Sequence, residues 1–247
     1  MYNIGLIAKY WNEELLLPRW LNSIKFEEFS HIFLLNDGST DNSEKICKEY
    51  THPTATIHHH TTEPQKSEYF KETTPESQKI NKFLQIAYKT GCDWVLHLDI
   101  DEFMSIPMKQ FVNFNLKETP PYYGIYFPIM DMLNTSECII KNPDTGFHHF
   151  PCPHLKIFGK HSGYVRTISG MDLDQGVTGG TSYIMTQYPY FHMKYAFKNR
   201  RWNRYTHLNN GKQQQFPNWV HGNIDPEIMP FALETWYAEF KEPEHIW

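Results

Sequence analysis

The sequence predicts an α/β protein: a mostly parallel sheet covered on its faces by helices. Short apolar runs alternate with helix-spaced amphipathic stretches from Asn3 to Leu98. A length of 247 residues suits one large domain of this class. Acidic and turn-forming residues gather where the apolar runs stop, at Asn36 to Asp41 and at Asp99 to Glu102. Ligands of such sheets bind beyond the C-terminal ends of the strands, so these two clusters stand where a site is expected.

The elements follow in order. Asn3 to Ala8 is a short apolar run that fits a buried strand. Leu16, Leu17, Trp20, Leu21 and Ile24 recur at helical spacing within Glu13 to Ile24, and Pro18 makes the helix start near it or bend there. His31 to Leu35 is a second strand, ending at Asn36-Asp37-Gly38-Ser39-Thr40-Asp41, a run of turn formers and N-cap residues. Ser43 to Tyr50 reads as a helix and Ala55 to His60 as a third strand. The polar stretch Thr61 to Ser77 has no apolar period and reads as a loop. Ile80, Phe83, Leu84, Ala87 and Tyr88 define a further helix that Gly91 stops. Trp94 to Leu98 is the fourth strand and runs into the acidic cluster.

Beyond Phe103 the alternation is lost, and an irregular C-terminal region is expected. Tyr122 to Met130, Lys156 to Phe158 and Ser182 to Met185 are its strand candidates. Tyr195 to Asn209 reads as a basic, aromatic helix and Pro230 to Phe240 as an amphipathic one. No internal repeat or linker divides the chain, so residues 1–247 are read as one domain with halves at 1–105 and 106–247.

Composition excludes some functions. A net charge of -5 and a pI near 6.3 argue against a nucleic-acid binder, despite the basic run Lys198-Asn199-Arg200-Arg201-Trp202-Asn203-Arg204. That run fits a solvated helix face or a surface turned to phosphate or membrane. Cys47, Cys92, Cys138 and Cys152 form no CxxC pair, which fits reduced thiols rather than a zinc site or disulfide framework. The N-terminal apolar run is too short for a signal peptide and no window spans a membrane. The expectation is a cytoplasmic protein, with peripheral contact at the inner face of a membrane left open. Aromatics at 16% suit sites that hold flat rings or sugar faces, and suit cores equally.

The chemistry centres on Leu98-Asp99-Ile100-Asp101-Glu102. Strand alternation would turn Asp99 and Asp101 to one face, with Ile100 on the other. Two carboxylates side by side repel, and a divalent cation relieves the repulsion. Oxygen ligands suit Mg²⁺ or Mn²⁺, which keep positions for phosphate oxygens. The plain alternative is an acidic turn capping a helix; the strongly apolar strand before the pair favours the metal.

The segment Trp94 to Phe103 resembles the DxDEF signature of family 2-like glycosyltransferases with the GT-A fold, in the branch allied to family 92. Three further pieces match in order: Ile4 to Glu13 with its Asn12-Glu13 turn, Leu35 to Asp41 beside the family's DDGSTD motif, and the helix from Asn81 to Gly91. The resemblance covers roughly residues 1–105 and implies a GT-A (Rossmann-like) fold with an acceptor-side C-terminal region. It implies that Asp37 bonds the base of a nucleoside diphosphate sugar, that Ala8 and Tyr10 line the base and ribose pocket, and that Asn81 belongs to the same nucleotide-sugar site. Asp99 would meet ribose or metal-bound water, and Asp101 would be the main ligand of Mn²⁺ or Mg²⁺. Asn36 stands where the family commonly has a first Asp; the second, Asp37, is kept. Asp37 could equally cap a turn or helix, and both roles can coexist.

A late histidine often completes the metal site in this fold, and His192 in Tyr190-Phe191-His192-Met193-Lys194-Tyr195 is the candidate, against a packed or exposed histidine. Lys194 would hold the diphosphate, with Arg200 or Arg201 assisting. His58, His59, His60, His148 and His149 are read as structural, because neighbours on a strand point opposite ways. An inverting transferase needs a general base, for which Asp131 and, between glycines that permit movement, Asp172 and Asp174 are the candidates, with Asp172 favoured.

The expected function is metal-dependent sugar transfer from a nucleoside diphosphate donor, most simply a UDP-sugar, to a glycan, lipid-linked or protein acceptor. A metal-dependent phosphohydrolase or nucleotidyltransferase is the enzymatic alternative, distinguished by the phosphate it releases. A non-catalytic glycan- or nucleotide-binding module is the third, and the intact acidic pair argues against it.

Overall fold

A computed structural model describes residues 2–25, 27–61, 75–104, 124–127, 129–131, 137–141, 154–169, 172–178, 182–184, 190–193 and 227–230. The chain divides into two compact units: 1–100, 106–127 and 154–185 form the first, and 101–105, 128–153 and 186–247 the second. The first unit thus takes in two segments beyond residue 105.

The first unit opens with β1 (Ile4–Tyr10), α1 (Leu17–Ile24), β2 (His31–Asn36), α2 (Ser43–Glu49), β3 (Thr56–Thr61), α3 (Pro75–Lys89) and β4 (Trp94–Asp99). α1 begins one residue before Pro18, whose missing N–H costs nothing in a first turn. Its buried side chains Leu17, Trp20, Leu21 and Ile24 are those of the expected apolar stripe. α3 ends in a hydrogen-bonded turn in which Gly91 N donates to Tyr88 O at 3.2 Å and Cys92 N to Ala87 O at 3.0 Å. That turn requires a left-handed residue, and Gly91 supplies it at φ +99°.

After β4 come β5 (Glu102–Met104), β6 (Gly124–Phe127), β7 (Ile129–Asp131), β8 (Glu137–Lys141), β9 (His154–Gly159), β10 (Gly163–Ser169), β11 (Asp172–Thr178), β12 (Ser182–Ile184), β13 (Tyr190–His192) and β14 (Glu227–Pro230). The expected strand Tyr122 to Met130 is therefore two strands, β6 in the first unit and β7 in the second. The helices expected over Tyr195 to Asn209 and beyond Pro230 lie outside the described residues; Pro230 itself closes β14.

A seven-stranded sheet organises the first unit, in the order β12-β6-β9-β4-β1-β2-β3. Pairings β1–β2, β1–β4, β2–β3 and β12–β6 are parallel, while β9 runs antiparallel to both β4 and β6. The sheet is mostly parallel and mixed, as the α/β class requires. β1 and β4 are buried almost throughout, which is why they read as unbroken apolar runs rather than alternating ones. On one face Ile80, Phe83, Leu84 and Ala87 of α3 pack with Ile7, Phe33, Leu35, Val95, Leu155 and Phe158 of the strands. β10 and β11 form an antiparallel hairpin in which Ser169 pairs with Asp172.

The second unit contains a three-stranded sheet, β5-β13-β7, and a two-stranded one, β14-β8. No helix among the described residues is long and apolar enough to cross a membrane.

Candidate functional site

Strand order places the site in the first unit. The chain steps outward from β1 to β2 to β3, then returns through α3 to lay β4 on the other side of β1. The strand order thus reverses at β1, and sheets of this class bind ligands beyond the C-terminal ends of the strands at such a reversal. Parallel register sets Tyr10 beside Asn36 and Lys9 beside Asp99. Asp37 follows directly on β2, and its N–H donates to the Tyr10 carbonyl at 2.9 Å. The sheet thus carries Asp37 and Asp99 to the same edge, on either side of β1.

The loops after β1 and β2 are fastened to each other there. Asn12 N donates to Ser39 Oγ at 3.1 Å, Thr40 N to Asn12 Oδ1 at 2.8 Å, Glu13 N to Ser43 Oγ at 2.7 Å and Glu14 N to Asp41 Oδ2 at 3.1 Å. Asn42 N returns to Glu14 Oε2 at 3.1 Å. Asn12 takes a left-handed φ of 53°, which asparagine tolerates better than most residues. Asn-Glu after the first strand and Gly-Ser-Thr-Asp after the second are therefore two halves of one clasp. Neighbours of Asp37 take part in the turn. Asn36 Oδ1 accepts Ser39 N–H at 2.8 Å, and Asp41 Oδ1 accepts Ser43 N–H at 3.0 Å. Asn36 is 1% exposed, so a neutral amide there spares the cost of burying a carboxylate.

Asp37 itself pairs with Lys79 of α3, a residue the sequence reading passed over. One step off the apolar stripe, Lys79 reads in sequence as an ordinary solvated lysine, and nothing local distinguishes it. Asn81 lies about 200° around the helix from Lys79, on the flank of Tyr88, whose hydroxyl donates to Gly159 O at 2.9 Å. Asn81 and Asp37 therefore sit to opposite sides of α3. Ala8 and Tyr10 are both buried. The Tyr10 hydroxyl bonds Cys47 of α2, and burial, then the Cys47, Glu44 and Asp41 charges, push its pKa up. Burial likewise raises the Cys47 thiol to about 12, so neither group ionises near neutrality. What Tyr10 offers at the sheet edge is its carbonyl rather than its ring.

The shared face expected for Asp99 and Asp101 does not follow from strand alternation. β4 stops at Asp99, and Ile100 and Asp101 form a turn before β5, so the alternating pattern ends one residue too soon. Asp101 belongs to the second unit, where it is 2% exposed. Its Oδ2 lies 3.2 Å from His192 Nε2, and its carbonyl accepts the Met193 N–H at 2.6 Å. His192 is 7% exposed and sits in β13 between Glu102 of β5 and Asp131 of β7, its register partners on either side. The second unit thus joins Asp101 to His192 and brings the Asp131 backbone alongside.

Carboxylate and imidazole atoms 3.2 Å apart have the spacing of neighbouring ligands on one cation. Two donors each about 2.1 Å from a metal and roughly 100° apart stand about 3.2 Å from each other. The donor set fits a divalent ion that keeps its other positions for phosphate oxygens and water. Among the described residues no third His, Cys, Asp or Glu closes the group.

Asp172 opens β11 opposite Ser169, so it begins a paired strand rather than sitting in a free glycine segment. Lys194, Arg200, Arg201, His148 and His149 lie outside the described residues. His58 and His60 pack against aromatic rings. His58 stacks on Phe33 with centroids 4.6 Å apart and faces His31 Nδ1 at 3.1 Å, and His60 meets Phe83 edge-on at 4.7 Å.

Residues 6–110 match the model of glycosyl transferase family 2. No curated protein matches the chain. Among solved structures, glucosyl-3-phosphoglycerate synthase from Mycobacterium tuberculosis, in complex with Mn²⁺, UDP and glucosyl-3-phosphoglycerate, is similar at 16% identity and a TM-score of 0.36, over 52% of this chain and 44% of that one. The same enzyme with Mn²⁺, UDP-glucose and phosphoglyceric acid aligns at 18% identity and a TM-score of 0.36, over 53% and 44%. With phosphoglyceric acid alone it aligns at 14% and 0.37, over 64% and 57%. The alignments span about half of that enzyme's length.

Proposed function

We propose that this chain is a glycosyltransferase that takes a sugar from a nucleoside diphosphate donor, with UDP as the nucleotide, and passes it to a glycan, lipid-linked or protein acceptor. The observation that carries the reading is the sheet edge: Asp37 and Asp99 close β2 and β4 on either side of β1 at the reversal of strand order. That edge falls inside the segment that matches glycosyl transferase family 2.

Each residue has a task in this scheme. Asp37 accepts a ring N–H of the base, and the Tyr10 carbonyl, bonded to Asp37 N, fixes the wall beside it. Asp99 receives ribose hydroxyls at the β4 end. Asp101 and His192 are the protein's ligands for Mn²⁺ or Mg²⁺, a role that the 3.2 Å spacing supports. A cation held there would neutralise charge that grows on the departing diphosphate. Without it, His192 donates to Asp101 and keeps both side chains aligned. Lys194 contributes further positive charge to the leaving group. Asp172, or Asp131 beside His192, removes the acceptor hydroxyl proton as that oxygen bonds to the sugar carbon on the face opposite the diphosphate, whose C–O bond breaks, so the carbon inverts.

Asp101→Ala is expected to lower sugar transfer at least about a hundredfold while the far-ultraviolet circular dichroism stays that of the wild type. Chromatography of the products should show nucleoside diphosphate. Wild-type turnover by the variant would remove Asp101 from the mechanism, and release of monophosphate or pyrophosphate would point instead to a phosphohydrolase or nucleotidyltransferase.

A further inference from the structure

The ion pair between Asp37 and Lys79 exceeds what base binding by a carboxylate alone demands. The Lys79 side chain is 11% exposed and that of Asp37 22%, so the two charges meet largely out of water. A lysine that far from solvent is seldom found without a partner. Its helix is also anchored by apolar contacts, with Ile80, Phe83, Leu84 and Ala87 all in the core. Those contacts fix the backbone from which Lys79 reaches the end of β2. Ammonium and carboxylate therefore stand side by side at the sheet edge as one donor next to one acceptor.

That arrangement is the complement of a particular chemical edge. Uracil presents a ring N–H flanked by carbonyl oxygens, a donor beside an acceptor. Cytosine presents an unprotonated ring nitrogen at the same place, which would set a lone pair against the carboxylate. A site whose polar groups are left unpaired rejects the mismatched ligand more strongly than a missing apolar contact would. The pair is also neutral as a whole, so a neutral base can dock without leaving an uncompensated charge behind.

We propose that Lys79 and Asp37 read the nucleobase together, the carboxylate accepting the ring N–H while the ammonium donates to the adjacent carbonyl oxygen, which makes Lys79 a specificity-determining residue for a uracil-type base. This rests on the base-binding role proposed for Asp37, and the test separates the two.

Titration calorimetry of UDP, CDP and inorganic pyrophosphate, each with Mn²⁺, would be run on the wild type, Lys79→Met, Lys79→Arg and Asp37→Asn. The wild type should prefer UDP to CDP. Lys79→Met should weaken UDP at least about tenfold, the loss of one charge-assisted hydrogen bond, and narrow the UDP-to-CDP ratio. Lys79→Arg should recover most of that ratio, and pyrophosphate affinity should be the same in all four proteins. Thermal midpoints of all four proteins would be measured alongside, and Lys79→Met should unfold cooperatively like the wild type. An unchanged UDP-to-CDP ratio in Lys79→Met overturns the proposal and leaves the lysine a purely structural partner. Equal weakening of UDP, CDP and pyrophosphate also overturns it, assigning the lysine to the phosphates. An unchanged ratio in Asp37→Asn, or a wild type indifferent to the base, overturns base reading by Asp37 itself and the proposal with it.

Discussion

Gly5 offers the sharpest test of how the central strands are packed. A β-carbon built on it would lie 2.9 Å from Cys92 Sγ and 3.7 Å from Phe33 Cε2. Comfortable contacts between carbon atoms are about 3.5–4.0 Å, and sulfur is larger, so the first distance is an overlap of more than half an ångström. Cys92 is fully buried, as is Phe33 behind it, and the turn that ends α3 fixes Cys92 through its N–H. The sulfur has nowhere to go. Gly5→Ala is expected to cost about 1–3 kcal/mol, the usual range for overpacking a filled core. Cys92→Ala alone should cost about 1 kcal/mol for the lost sulfur contacts. In the double variant the new methyl group occupies the space the sulfur vacates. Its stability should equal or exceed that of Cys92→Ala, because alanine also narrows the unfolded ensemble by about 0.4–1 kcal/mol. Urea unfolding of the four proteins gives the coupling energy directly. Additivity within about 0.5 kcal/mol would refute the reasoning, since it would mean that the two side chains never compete for the same volume.

Two further outcomes can be measured with the same assay. Ser43→Ala removes the buried acceptor of the Glu13 N–H, 2.7 Å away, and should cost about 1–3 kcal/mol; a loss under about 0.5 kcal/mol would mean that the clasp does not depend on this bond. The pKa of His58 is lowered by burial, then by His31, His60 and His59, so its folded value lies below the unfolded value of about 6.5. Its contribution to stability is therefore complete above pH about 6.5 and is lost as pH falls through the folded value, because the unfolded chain takes up the proton first. His52, His59 and His60 are lowered by burial in the same sense, so stability should drop as pH falls below about 6.5. His58→Phe should flatten part of that slope, and an identical slope in the variant would exclude His58 as a contributor.

The first hundred residues were legible because their signals are local. An apolar run such as His31 to Leu35 declares a buried strand, and Gly91 declares a helix end, without knowledge of anything distant. Cluster positions were legible for the same reason: a turn rich in Asp, Gly and Ser after a buried strand can only lie at a sheet edge. Register was not. The sequence Trp94 to Asp101 invites strand alternation through to Asp101, and the strand in fact ends at Asp99. Where a strand stops depends on which neighbours remain to pair with it, and β4 loses β1 after Lys9 pairs with Asp99. The splitting of Tyr122 to Met130 into β6 and β7 has the same origin, because β6 pairs with β9 and β7 with β13.

The partners of Asp37 and Asp101 show the same divide at the level of single side chains. Both carboxylates were visible as candidates from their own surroundings in sequence. Their partners come from 42 residues away for Asp37, in α3, and from β13 for Asp101. His192 was found because aromatic residues around it mark a buried strand, and a histidine at such a position is conspicuous. Lys79 was missed because a lysine beside an apolar stripe is the commonest residue a surface helix can carry. The physical difference between them lies in the partner rather than in the residue. An imidazole can be buried neutral, whereas an ammonium is held out of water only by an opposing charge. Burial of Lys79 therefore reports on Asp37 more than on itself. Asp37 keeps that cation beside it directly after β2, while Asn36 and Asp41 accept the N–H groups of Ser39 and Ser43 in the same turn.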